Sequence, residues 1–164
     1  MRSIILSILC ILYSFPAMAW MGTVLTVHDG DTVRVQSIDG EAVSIRVYGV
    51  DCPELGQPYG AEARDMTTQL VNGQRVEIVP AQKVKSYKRE VAVVVLADGT
   101  TLEDALVRAG LAWVDGRYCK RPECNQWRQH QTDAAAASPP RGLWADSVPL
   151  PPWQWRKLKK TYAR

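Results

Sequence analysis

The sequence predicts an α+β domain, mainly β, on three observations. Val33 and Val35 alternate with Arg34 and Gln36, and Val43, Ile45 and Val47 alternate with Ser44, Arg46 and Tyr48. That period of two marks half-buried strands. Asp29-Gly30 and Asp39-Gly40 fall where antiparallel strands need hairpin turns. Later stretches switch to the spacing of amphipathic helices, so the chain mixes both kinds of element in sequence.

Three antiparallel strands are expected over residues 23–50. Residues 59–71 follow with helical spacing: Ala63, Met66, Thr67 and Leu70 share a face, and Asn72-Gly73 supplies the stop. Two more strands fit residues 75–79 and 90–97, the second almost wholly apolar and therefore central. Asp98-Gly99 is a further turn. Thr101-Leu102-Glu103-Asp104 resembles a capping box, with its acids placed to offset a helix N-terminus. Leu102, Leu106 and Ala109 then face inward, and Gly110 closes that helix. A last helix is expected from about residue 123 to 137, stopped by Pro139-Pro140. Five short strands with three helices suit a five-stranded OB-type Greek-key barrel. No internal repeat is visible.

Hydrophobic residues make up 46% and charged residues 23% of the 164, which excludes disorder, collagen and coiled coil. A formal net charge of +3 is too small to hold a polyanion by bulk attraction, so anion recognition must come from placed residues. Arg2, the apolar run at 4–12 and Ala17-Met18-Ala19 follow the order of a secretory signal peptide with an A-x-A cleavage site. The run is too short for a permanent span. Residues 1–19 are therefore expected to be removed, leaving a domain over 20–144 and a Pro/Trp-rich basic tail over 145–164. The mature protein is expected to be periplasmic or secreted.

Removal of Cys10 leaves Cys52, Cys119 and Cys124, an odd number that allows at most one internal disulfide. Cys119 and Cys124, with Pro122 between them, are the preferred pair; three free thiols are the alternative. No histidine pair has ligand spacing around these cysteines, which argues against zinc. The tail, Trp153-Gln154-Trp155-Arg156-Lys157-Leu158-Lys159-Lys160, reads either as a loosely packed solvated end or as an aromatic, cationic surface for bases or anionic lipid.

Arg46 lies on the polar face of its strand, and Val50-Asp51-Cys52-Pro53-Glu54 follows at once. A cation and two carboxylates thus leave one strand end. Simple alternation puts Arg46 and Asp51 on opposite faces, so a bulge or twist at Gly49 is required to bring them together. Asp31 comes one residue too late to be demanded by the Asp29-Gly30 turn. Asp31, Asp51 and main-chain carbonyls would form an all-oxygen site suited to Ca²⁺. Arg89, in Tyr87-Lys88-Arg89, offers a planar fork for phosphate oxygens, and Lys83, Lys85 and Lys88 make the surroundings basic.

Taken together, these positions resemble the staphylococcal nuclease (thermonuclease) family. The matching stretches are Asp29-Gly30-Asp31-Thr32-Val33, Arg46 through Val50-Asp51-Cys52-Pro53-Glu54, Tyr59-Gly60-Ala61-Glu62-Ala63 and Tyr87-Lys88-Arg89. Ala97-Asp98-Gly99, Ala105-Leu106-Val107-Arg108-Ala109-Gly110-Leu111-Ala112 and Arg141-Gly142-Leu143-Trp144 continue the series in order.

The resemblance implies an OB-type barrel that hydrolyses DNA and RNA phosphodiesters with Ca²⁺, leaving 5′-hydroxyl and 3′-phosphate ends. It implies that Asp31, Asp51 and the Cys52 carbonyl bind the metal, that Glu54 acts on the attacking water, and that Arg46 and Arg89 hold the phosphate. Tyr87 and Tyr118 would line the nucleotide site, with Lys85 and Lys88 adding charge where the family usually reads Asp-x-Tyr-Gly-Arg. A monomer is expected. The competing reading is a non-catalytic OB module for single-stranded nucleic acid. Arg46, Asp51, Glu54 and Arg89 occurring together favour the enzyme, because a binder needs the cations but not the acids.

Overall fold

Three hairpin-linked strands open the chain in the computed structural model, which describes residues 18–86 and 89–162. They are β1 (Trp20–Asp29), β2 (Thr32–Ser37) and β3 (Ala42–Val47), all antiparallel. A short β4 (Val50–Asp51) follows, then α1 (Gly60–Val71), β5 (Arg75–Ser86) and β6 (Arg89–Val95). The chain continues through α2 (Leu102–Arg108), β7 (Trp113–Val114), α3 (Glu123–Ala136) and α4 (Pro152–Tyr162).

The barrel closes in the order β1-β2-β3-β6-β5, with β5 returning to β1. It is the predicted five-stranded OB-type barrel in an α+β chain. The alternating residues do what their period requires. Val33, Val35, Ile45 and Val47 point inward and are buried, joined by Val24, Val76, Ile78 and Val94. Each such side chain contributes roughly 1.5–3 kcal/mol on leaving water.

One pairing matters most for the site. β3 and β6 run parallel, with Ile45 opposite Glu90 and Arg46 opposite Val91. The N-terminal end of β6, where Arg89 stands, is thereby brought beside Arg46, although more than forty residues separate them in sequence.

β5 runs past the expected residue 79 to Ser86. Pro80 reads in sequence as a strand end, since it cannot donate to a ladder. Here it pairs with Ala92, and the register breaks between Pro80 and Lys85 instead. α2 is capped as expected: the Thr101 hydroxyl accepts from the Asp104 amide at 3.2 Å. Glu103 differs from the expectation. It turns inward and is fully buried, and that burial pushes its carboxyl up to about 8.

A fourth helix stands where a tail was expected. Pro152 occupies its first position, where a missing N–H costs nothing, and the Pro151 carbonyl accepts from the amides of Gln154 and Trp155. The helix is docked. Trp153 meets Trp113 edge-on at 5.8 Å between ring centres, and the Arg117 guanidinium lies 5.2 Å from the Trp153 ring. Gln57 donates to the Leu150 carbonyl at 2.5 Å. Trp155 lines a small cleft with Pro53, Gln57 and Tyr59.

Cys119 and Cys124 form a disulfide, with Cα atoms 5.7 Å apart, and Cys52 is a buried free thiol. The Tyr48 hydroxyl anchors the start of the bridged loop: it donates to the Tyr118 carbonyl at 3.0 Å and accepts from the Lys120 amide at 2.9 Å. Among the described residues, no helix is long and apolar enough to cross a membrane.

Candidate active site

The site is built where the β1–β2 turn, the exit of β3 and the start of β6 meet at one rim of the barrel. Asp31 sits in the turn between β1 and β2. Its amide is held by the Asp29 carboxylate at 3.1 Å, and its carbonyl accepts from Val47 at 2.9 Å. The Asp31 side chain is buried, with Oδ2 accepting from the Cys52 amide at 2.7 Å. Such a carboxylate is fixed by donors on both sides rather than left to rotate in solvent.

Gly49 brings Asp51 into line. Its φ of +71° turns the chain between β3 and β4, and a Cβ there would lie 2.6 Å from the Cys119 sulfur. Only glycine takes this conformation readily. Beyond the turn, β4 pairs with β7, Asp51 opposite Trp113, which buries Asp51 almost completely. The Arg46 guanidinium then bonds both acids: Nη1 pairs with Asp31 Oδ1, and Nη2 lies 2.7 Å from Asp51 Oδ1. Since one guanidinium reaches both, the two carboxylates stand within a few ångströms of a common point.

Arg89 joins from β6. Its Nη1 reaches the Thr32 hydroxyl at 3.5 Å, and that hydroxyl lies 3.3 Å from Asp31 Oδ1. Glu54 sits on the loop after β4 and is partly exposed. Its backbone is braced by the Gln57 amide, which donates to the Glu54 carbonyl at 2.7 Å. The same carbonyl packs so closely on Gly60 that any Cβ there would collide with it. The start of α1 thus sets the path of the Glu54 loop.

Two buried carboxylates beside one another form a hard oxygen donor set, which suits a divalent cation with main-chain oxygens and water completing its shell. The set is small. Among the described residues, no group of three or more His, Cys, Asp and Glu side chains gathers as a metal cluster. Cys52 lies at this point through its main chain. Its thiol is buried, and burial pushes its ionisation upward, so the sulfur is not an available thiolate.

Of the remaining predicted residues, Tyr118 is exposed, with the Arg117 guanidinium 5.5 Å from its ring. Arg117 lies against both Tyr118 and Trp153, linking Tyr118 to α4. Tyr87 and Lys88 lie outside the described residues, and Lys85 is described as a backbone position of β5 opposite Glu90.

One residue at the site escaped the sequence reading. Arg156, on α4, places Nη2 2.7 Å from Asp51 Oδ2 and Nη1 2.7 Å from Glu54 Oε1. Its bonds to Asp51 and then Glu54 push its already high ionisation further up. The available signal was Pro151-Pro152 ahead of Trp155, Leu158 and Tyr162. That is a helix start followed by an apolar stripe at spacings of three and four.

Comparison with known proteins agrees with this geometry. The family model described as Staphylococcal nuclease homologue matches residues 44–146. A protein of Escherichia coli O157:H7 named "Uncharacterized endonuclease" is 38% identical over 84% of this chain and 86% of its own length. "Micrococcal nuclease" of Shigella flexneri is 30% identical over 92% of this chain and 88% of its own. "Probable staphylococcal-like nuclease CAN1" of Oryza sativa subsp. japonica is 32% identical over 77% of this chain but only 36% of its own length.

An OB-type barrel whose rim combines paired acids with arginines is the scaffold of a phosphodiester hydrolase. The chain belongs to the staphylococcal nuclease family. It is a nuclease, of a family that is generally metal-dependent.

Proposed function

We propose that the protein is an exported, Ca²⁺-dependent nuclease that cleaves both DNA and RNA, working as a monomer and leaving 5′-hydroxyl and 3′-phosphate ends. The observation that carries this reading is the Arg46 guanidinium bonded to both buried acids, Asp31 and Asp51. Burying two carboxylates is costly unless their charge is used. A module that only held nucleic acid would gain nothing from them.

Asp31, Asp51 and the Cys52 carbonyl would hold the ion. When bound, it supplies positive charge opposite the non-bridging phosphate oxygens. Glu54, partly exposed at the edge of the acid pair, orients water and takes its proton as the oxygen bonds to phosphorus. The P–O5′ bond breaks, the leaving 5′-oxygen takes a proton from water, and Glu54 returns its proton to solvent, which leaves a 5′-hydroxyl and a 3′-phosphate. Arg89, and Arg46 once its fork turns from Asp31 and Asp51, would donate to the oxygens on which charge builds. Tyr118, exposed beside Arg117, would extend the binding surface.

Export is supported by the order of charge, apolar run and A-x-A site at residues 1–19 and by the Cys119–Cys124 disulfide, a bond that persists in oxidising compartments. The test is to incubate purified mature protein with single- and double-stranded DNA and with RNA, in Ca²⁺, Mg²⁺ or chelator. Cleavage of all three in Ca²⁺ and its loss in chelator are expected. Undiminished cleavage in chelator, or binding without cleavage throughout, overturns the reading.

A further inference from the structure

The three carboxylates at the rim, Asp31, Asp51 and Glu54, face three guanidiniums: Arg46, Arg89 and Arg156. The last comes from a helix that is packed on the site rather than passing near it. Trp153 is wedged between Trp113 and Arg117, and Leu150 is tied to the Glu54 loop through Gln57. Lys159 comes within 3.2 Å of where a Gly56 Cβ would stand, so α4 also overlies that loop further along. With its first turn anchored, Arg156 is held over the acids. It contacts both oxygens of Asp51 and one of Glu54, at 2.7–3.2 Å.

A carboxylate engaged in this way has fewer lone pairs free for a hard cation. The guanidinium also cancels one negative charge that would otherwise attract it. The outer part of α4 carries Lys157, Lys159 and Lys160 beside Trp155, Leu158 and Tyr162. Of these, Lys159 shares one surface with Trp155, Leu158 and Tyr162, its Nζ 5.5 Å from the Trp155 ring, and an aromatic beside a cation suits a polyanion with stackable bases.

We propose that Arg156 is a built-in counter-cation of Asp51 and Glu54, which a divalent metal must displace from Asp51 and which nucleic-acid phosphates draw away. Helix α4 thereby couples metal loading to substrate binding. The proposal rests on the reading that the acid pair binds a divalent metal. By linkage, the nucleic acid tightens the metal by the same factor as the metal tightens the nucleic acid.

The experiment is calorimetric titration of Ca²⁺ into the mature protein and into Arg156→Gln, with and without a nuclease-resistant phosphorothioate oligonucleotide. In wild type, the oligonucleotide is expected to tighten Ca²⁺ roughly fivefold to tenfold. Arg156→Gln should bind Ca²⁺ tighter by about that factor without oligonucleotide, and should lose most of the coupling. Melting provides the second readout: Ca²⁺ should raise the Tm of Arg156→Gln more than that of wild type. Arg156→Lys retains charge without the fork and should fall between them, covering the case in which Gln disturbs α4. Equal or weaker Ca²⁺ binding by both variants overturns the proposal while leaving the calcium-nuclease reading intact. Absence of Ca²⁺ binding in wild type overturns both.

Discussion

Arg46 and Asp51 stand five positions apart in the chain, and the guanidinium Nη2 of one lies 2.7 Å from the carboxylate Oδ1 of the other. Strand alternation would send them to opposite faces. The turn at Gly49, with φ of +71°, reverses that and aims both into one rim. The contact therefore depends on a residue that carries no functional group.

Gly49→Ala tests this dependence. A left-handed conformation costs a non-glycine residue about 1–2 kcal/mol, and the new Cβ also presses on the Cys119 sulfur. Melting should fall by several degrees. At temperatures where both proteins are folded, cleavage should fall by a further factor of ten or more, because Asp51 is misaimed. Cleavage equal to wild type at matched folded fraction would show that the turn does not set the site.

Arg46→Lys retains charge and loses the fork. With one point charge in place of two directed donors, cleavage by the folded variant should drop roughly 10³-fold, by analogy with phosphoryl-transfer arginines. Single-turnover rates at saturating substrate measure it.

Glu54→Gln and Asp31→Asn separate proton transfer from metal binding. Glu54→Gln should slow the reaction by roughly 10²–10⁴, with no recovery at higher Ca²⁺. Asp31→Asn should shift the Ca²⁺ dependence of the rate to higher concentration and recover in part. Rate measured across a Ca²⁺ titration distinguishes the two behaviours.

Glu103 sets a pH dependence of stability. Its ordinary value is 4.5, and burial pushes it to about 8 in the folded protein. Between these pH values the unfolded chain has released a proton that the folded chain keeps. This contribution to stability is full below pH 4.5 and is lost as pH rises toward 8. Glu103→Gln has nothing to titrate, so wild type should lose on the order of 1–3 kcal/mol relative to the variant between pH 5 and pH 8. Denaturant unfolding at the two ends of that window reads the difference.

The barrel strands were legible because their alternation is local: Val33, Val35, Ile45 and Val47 each need only neighbours in sequence to reveal a buried face. Pro80 looks like the terminator of β5 until Ala92 is seen beside it. In sequence Glu103 reads as an acid offsetting the α2 N-terminus, as the first turn of a helix favours, and only the packing around α2 buries it. The Pro151-Pro152 start and the stripe at Trp155, Leu158 and Tyr162 are local signals of a helix over residues 152–162, but nothing local says where that helix docks. The partners of Trp153 and Trp155, Trp113 and the Pro53–Tyr59 cleft, are far away in the chain.

By itself, then, the sequence determined the class of fold and the chemical types at the rim, since hydrophobic period, turn residues and the order of acids and arginines are all written along the chain. Tertiary structure decided which of those groups touch. The parallel β3–β6 pairing set Arg89 beside Arg46, the turn at Gly49 gave Asp51 its aim, and docking of α4 delivered Arg156 to Asp51 and Glu54. Such contacts follow from how separate elements pack, and no local pattern encodes the distance between residues 51 and 156.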